Sequence, residues 1–232
     1  MGVGSGTLSG MRRLYHLQLS PFSRKVRLVL AEKGLEFELV VEHVWERRPE
    51  FLQLNPAGKV PVLVEPDGQA MAESTAICEY LDEAYGDKVL LGSDPKSRAE
   101  ARRLVNWFDL KFGREVTENL LFEKVGKRAA GLGGPDTAAI RVGQTNMGPH
   151  LEYLGQLSEQ RRWLAGNDFS LADITAAAHL SCLDYLGDVP WRHHRAAKDW
   201  YARVKSRPSF RPLLADRIPG AGAPTHYANL DF

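Results

Sequence analysis

Cysteine is nearly absent: Cys78 and Cys182 are the only thiols in 232 residues, and both fall in apolar, helix-patterned stretches. Two distant cysteines exclude a disulfide-stapled scaffold and read as core residues of a chain kept in a reducing, cytoplasmic compartment. No apolar run approaches the roughly 18 residues needed to cross a bilayer, so membrane insertion is not expected. A charge excess is also lacking, since 30 Lys and Arg stand against 29 Asp and Glu. Nothing in that balance calls for nucleic acid. Adjacent His193 and His194 cannot both face one ion from a helix, so no metal site is expected. The opening "MGVGSGTLSG" lacks the charged start and apolar run of a signal peptide. Its Gly and Ser content and the second Met at position 11 mark residues 1–10 as an expression scar or a disordered end.

What is present is an ordinary globular composition, 44% hydrophobic and 25% charged, with length for one or two domains. "LYHLQL" (14–19) reads as a strand stopped by Pro21. Ser20 or Pro21 then opens a helix with Val26, Val29 and Leu30 at helical spacing, ended by Gly34. "EFELVVEHV" (36–44) reads as a second strand, making a β-α-β unit with a parallel pair. After a long connection, "VPVLVE" and "QAMAE" flank "PDG" as a hairpin, and a helix follows from an N-cap at Ser74. The order β-α-β, then β-β-α, is a thioredoxin-like pattern. Beyond the turn-rich linker 86–97 only helical patterns occur, including a long stretch from Ser97 to Ala130 and one from Asp136 to Leu157. In "FSLADI", Ser170 and Asp173 make a capping box, with Phe169 and Ile174 as its hydrophobic staple. The expected organisation is 11–85 thioredoxin-like, 86–97 linker, 98–217 all-helical and 218–232 a tail.

A small β-α-β-β-β-α domain leading into helices, with "SPFSRKVR", "NPAGKVPVL", "ES" (73–74) and "FSLADI" in that order, resembles the glutathione transferase superfamily over most of residues 11–217. Within it, "WERRPEFL", "LDYLGDVPW", "AAKDWYARVKSRPSFRPLLADRIPG" and the ending "HYANLDF" resemble an alphaproteobacterial branch of transferase-like division proteins that bind the tubulin-like cytoskeletal protein FtsZ. The "RPLLAD" segment and the aromatic, acidic ending set that branch apart from ordinary bacterial transferases.

Ser20 stands where related enzymes place the residue facing the glutathione sulfur. A helix start has unsatisfied N–H groups and partial positive charge, so a thiolate brought there is stabilised and a hydroxyl adds one hydrogen bond. Ser20 as a simple N-cap is equally good chemistry. Ser23 takes the place of the second cysteine of a C-P-x-C pair, and two serines exclude dithiol exchange. The resemblance implies a cis bond at Pro61, with the Val60 backbone pairing with glutathione. It also implies that Glu73 and Ser74 bind the γ-glutamyl end at a second helix start, where an N-cap beside an acid explains the same residues. Trp107, Phe108 and Phe112 either line the cleft between domains or fill core.

The tail "THYANLDF" carries Tyr227, Leu230, Asp231 and Phe232 after a Pro/Gly-rich stretch. Apolar anchors beside a carboxylate suit docking into a partner's groove, or else fold back onto their own domain. Candidate exposed groups for a partner are Trp45, Arg47 and Arg48, and Arg114, Glu115 and Leu120 on the long helix. The resemblance thus implies a non-catalytic homodimer, cytoplasmic and at the division site, that needs no cofactor and associates with FtsZ filaments. The alternative is a serine-type glutathione transferase, with Ser20 activating glutathione toward a small apolar electrophile.

Overall fold

The computed structural model describes residues 10–218 and 222–230. Its first half is a mixed sheet of order β2-β1-β3-β4, formed by β1 (Arg13–His16), β2 (Glu38–Val41), β3 (Val62–Val64) and β4 (Ala70–Ala72). β1 and β2 run parallel, as the β-α-β reading requires, and β3 runs antiparallel to both β1 and β4. Between β1 and β2 lies α1 (Pro21–Glu32), capped by Ser20, with Pro21 in its first turn and Gly34 beyond its end at φ +66. That positive φ suits a residue without Cβ.

The connection after β2 is more ordered than its sequence suggests. It holds a 3-10 turn (Val44–Glu46) and a six-residue helix, α2 (Pro49–Leu54). Phe51 alone is fully buried from α2, against Val62 and Val64 of the sheet. A helix this short lives on that contact, because isolated helices of such length are unstable in water. α3 (Ser74–Ala84) closes the first half.

The linker is tied down at both sides. The Asp82 carboxylate accepts the N–H groups of Leu90 and Leu91 at 2.8 and 3.0 Å, and the Leu90 carbonyl accepts from Leu171 at 2.8 Å. Helices then fill the second half. α4 (Pro95–Asn106) runs on into a π-wound segment (Trp107–Gly126) and a last turn, α5 (Lys127–Ala129). α6 (Thr137–Gln160) starts at the Asp136 cap and contains Pro149. α7 (Leu171–Tyr185) is buried throughout, and α8 (Arg195–Lys205) and α9 (Arg211–Leu214) follow. Gly143 lets α6 lie against the π-wound segment, since a Cβ there would stand 2.9 Å from Asn119 Cβ.

One apolar cluster joins Leu14, Val26, Val29 and Leu63 of the sheet half to Phe108, Leu154, Ile174 and Trp200 of the helical half. Phe108 and Phe112 fill core, and Trp107 is half-buried against it. Both cysteines are buried and unpaired, and burial pushes the Cys78 thiol up to about 12 and Cys182 to about 11. Neither is a usable nucleophile at neutral pH. Among the described residues no helix is long and apolar enough to cross a membrane, and no cluster suits a metal ion.

Candidate functional site

The sheet register gathers the candidate residues of the first half. Tyr15 pairs with Val62 of β3, and Val62 pairs on its other side with Ala72 of β4. The chain therefore leaves β1 toward Ser20, enters β3 through Val60 and Pro61, and leaves β4 toward Glu73 and Ser74, all at one end of the sheet. The Val60–Pro61 bond is cis, as the family pattern anticipates.

Ser20 is half-buried, and its Oγ accepts the Ser23 N–H at 3.2 Å. Capping uses an acceptor lone pair, which leaves the hydroxyl hydrogen available to an incoming anion. The two readings of Ser20 are thus compatible in one geometry. No acid sits in the first turn of α1 to oppose a thiolate. At α3 the cap falls one residue earlier than the sequence suggests. Glu73 is the N-cap, at φ 70 and without a side-chain cap bond, and Ser74 is the first helical residue. A non-glycine residue at that φ stores about 1–3 kcal/mol of strain, which tends to collect at sites of function.

Sequence reasoning missed what lies behind Ser20. The cations of "SRKVR" do not face solvent; Arg24, Lys25 and Arg27 are buried and cross into the helical half. Arg24 donates to the Gln18 carbonyl at 2.7 Å, to Ser181 Oγ at 2.9 Å, to the Tyr227 hydroxyl at 3.1 Å and to Asp216 at 3.2 Å. Arg27 holds the same Asp216 with two bonds of 2.9 and 3.0 Å. Lys25 donates to Asp109 of the π-wound segment and, at 3.1 Å, to Thr75 in the first turn of α3. Asp109 also faces His179 Nε2 at 3.3 Å, and Thr117 bonds the other ring nitrogen at 2.9 Å. Burial acts to raise the Asp109 carboxyl, but His179 and Lys25 outweigh it and hold it below the usual carboxylate range. The available signal was three cations inside a helix whose apolar residues point every way; such a helix is enclosed and must find acids elsewhere.

The partner-facing candidates divide. Trp45 is 40% exposed and stacks on His43 with ring centroids 4.9 Å apart. Arg47 is exposed at φ 47, and Arg48, also exposed, is paired to the buried Glu42. Arg114 is exposed, while Glu115 is half-buried and accepts from Lys111 and from His150 Nε2 at 2.8 Å. Leu120 is a correction: it is 0% exposed, packed where α6 crosses, because it lies on the inner face of the π-wound segment. Tyr227 is a second correction, at 1% exposure rather than on a free tail. Its ring meets Tyr185 edge-on at 5.0 Å and its hydroxyl donates to the Leu213 carbonyl at 3.1 Å. Leu230 is 37% exposed, whereas Asp231 and Phe232 lie outside the described residues.

The family model described as glutathione S-transferase, N-terminal domain, matches residues 14–89, and the C-terminal domain model matches 144–208. FtsZ-localized protein A of Caulobacter vibrioides is 51% identical over 97% of this chain and 100% of its own length. The chain belongs to the glutathione S-transferase family. A crystal structure of a glutathione S-transferase from Rhodospirillum rubrum F11 is 57% identical with a TM-score of 0.92, over 96% of this chain and all of that one. The structure of FzlA from C. crescentus is 51% identical at TM-score 0.93, over the same shares.

Proposed function

We propose that this glutathione S-transferase-fold protein is a binding protein that associates with FtsZ filaments and promotes constriction at the division site. The observation that carries the reading is the full-length match to a relative named for its localisation with FtsZ, a match that spans both domains. Trp45 and Arg47 after β2, with Arg114 on the π-wound segment, are exposed groups available to such a partner. Leu230, exposed in the tail, extends the candidate surface. The protein is cytoplasmic and acts as a homodimer in this reading, sedimenting at twice its monomer mass at micromolar concentration; a monomer there contradicts the dimer.

A second reading has its own observation. Ser20, Val60, Glu73 and Ser74 converge at one sheet end, with a hydroxyl hydrogen available at a helix start. That arrangement suits a serine-type transferase in which Ser20 stabilises the thiolate of glutathione. Ser20→Ala separates the two. The binding reading expects unchanged co-sedimentation with FtsZ filaments and no glutathione-dependent turnover of a chromogenic electrophile to lose. The transferase reading expects turnover that falls roughly ten- to a hundredfold with the hydroxyl. Trp45→Ala, which leaves the Ser20 hydroxyl in place, is expected to weaken co-sedimentation.

A further inference from the structure

The tail and the loop that presents Ser20 share one buried group. Arg24 is fully enclosed, and its four partners come from four places: the Gln18 carbonyl two residues before Ser20, Ser181 on α7, Asp216 after α9, and Tyr227 in the tail. The adjoining Leu19 carbonyl accepts from Cys182 Sγ at 3.3 Å, so the loop is held on two successive carbonyls, one by Arg24 of α1 and one by Cys182 of α7. Leu19, Cys182, Tyr185 and Tyr227 also form a small apolar cluster of their own, apart from the main core.

Tyr227 is in turn held in place on several sides. A turn between the Pro224 carbonyl and the Tyr227 N–H, at 3.0 Å, presents the ring inward. The neighbouring His226 bonds Asp184 through Nε2 at 2.9 Å, and its carbonyl accepts from the buried Lys205 at 3.1 Å. Three residues later Leu230 is back at the surface.

We propose that residues 222–230 are a strap with Tyr227 as its latch, which acts through Arg24 to fix the Gln18–Leu19 loop and the first turn of α1. Removing the tyrosine hydroxyl takes one acceptor from a guanidinium that has no water to turn to, and the remaining bonds, including that to Gln18, loosen with it. The link is reciprocal by thermodynamic necessity. Whatever draws Tyr227 out of its site loosens the start of α1, and whatever stiffens that start strengthens the hold on the tail. The proposal does not depend on whether glutathione or FtsZ is the ligand.

Amide hydrogen exchange of the full chain tests it, comparing the unaltered protein with Tyr227→Phe and with protein trimmed from its C-terminus by carboxypeptidase after folding. The trimmed sample needs no refolding, so it decides the matter if the variant does not fold. Residues 17–25, including the Ser23 and Arg24 amides that bond Ser20, are expected to exchange about fivefold faster in the variant and faster still once Tyr227 is removed. Amides of β3 and β4 are expected to keep their rates. Unchanged exchange over 17–25 after trimming overturns the proposal, and so does an equal rise across the sheet, which would mark a loss of global stability only.

Discussion

Asp173 does more than cap a helix. Its carboxylate is fully buried and accepts from Ser170 N–H at 3.1 Å, Ser170 Oγ at 2.9 Å, Leu164 N–H at 2.9 Å and Trp200 Nε1 at 2.9 Å. The capping box was legible because it is a three-residue spacing; the indole and the Leu164 amide arrive from elsewhere in the fold and left no local trace. Asp173→Ala strands those donors in the core, and the expected loss is about 3 kcal/mol or more in chemical denaturation, well above the ~1 kcal/mol of a plain cap. His16 gives a pH-dependent case. Burial first, and then the Arg27 charge, push it down to about 4, and its Nδ1 has no hydrogen-bond partner among the described residues. An unfolded histidine titrates near 6.5, so between about 6.5 and about 4 the unfolded chain binds the extra proton. Stability therefore falls as pH falls through that window, by an amount on the order of 3 kcal/mol in full. His150, also lowered by burial, adds a loss of the same sign. His16→Gln is expected to flatten the decline between pH 6.5 and 5 in urea titrations, and an unaltered slope would show that His16 is not its source.

At the scale of elements, the strand-helix order and most caps were readable because they rest on period, proline and polar caps. α2 was not, since its six residues carry one buried side chain and no helical period. α1 was readable as a helix, but the burial of its cations was not. Its cations join the two halves of the molecule through acids more than 80 residues away in sequence, a separation at which spacing carries no information. The Lys25–Asp109 pair gives this a test. Asp109→Ala leaves an ammonium buried without its charge partner, and the expected cost is about 3–5 kcal/mol. Replacing both, as Lys25→Met with Asp109→Leu, is expected to recover most of that loss, because the apolar pair removes the uncompensated charge. Equal destabilisation of the single and double variants in the same unfolding assay would mean that the pair is not what joins these elements.

Across the whole molecule, the two-domain architecture and the convergence of Ser20, Val60, Glu73 and Ser74 were legible in four short motifs, because the fold needs those residues in that order. Exposure was not. Trp45 and Leu120 look alike as apolar candidates in the sequence, yet one stands at the surface and the other under α6, a distinction made only by helices that meet across the chain. The same holds for the tail, whose Tyr227 is part of the helical half while Leu230 emerges from it. Ser20, Val60, Glu73 and Ser74 lie at one end of the sheet, while Trp45, Arg47 and Arg114 stand exposed, and the proposed function rests on the exposed groups. The deciding measurement is co-sedimentation of the intact protein with GTP-assembled FtsZ filaments, with and without excess glutathione. Saturable pelleting that glutathione leaves unchanged is the expected result; absence of filament-dependent pelleting, in a preparation that turns over glutathione and an electrophile, would overturn the binding reading.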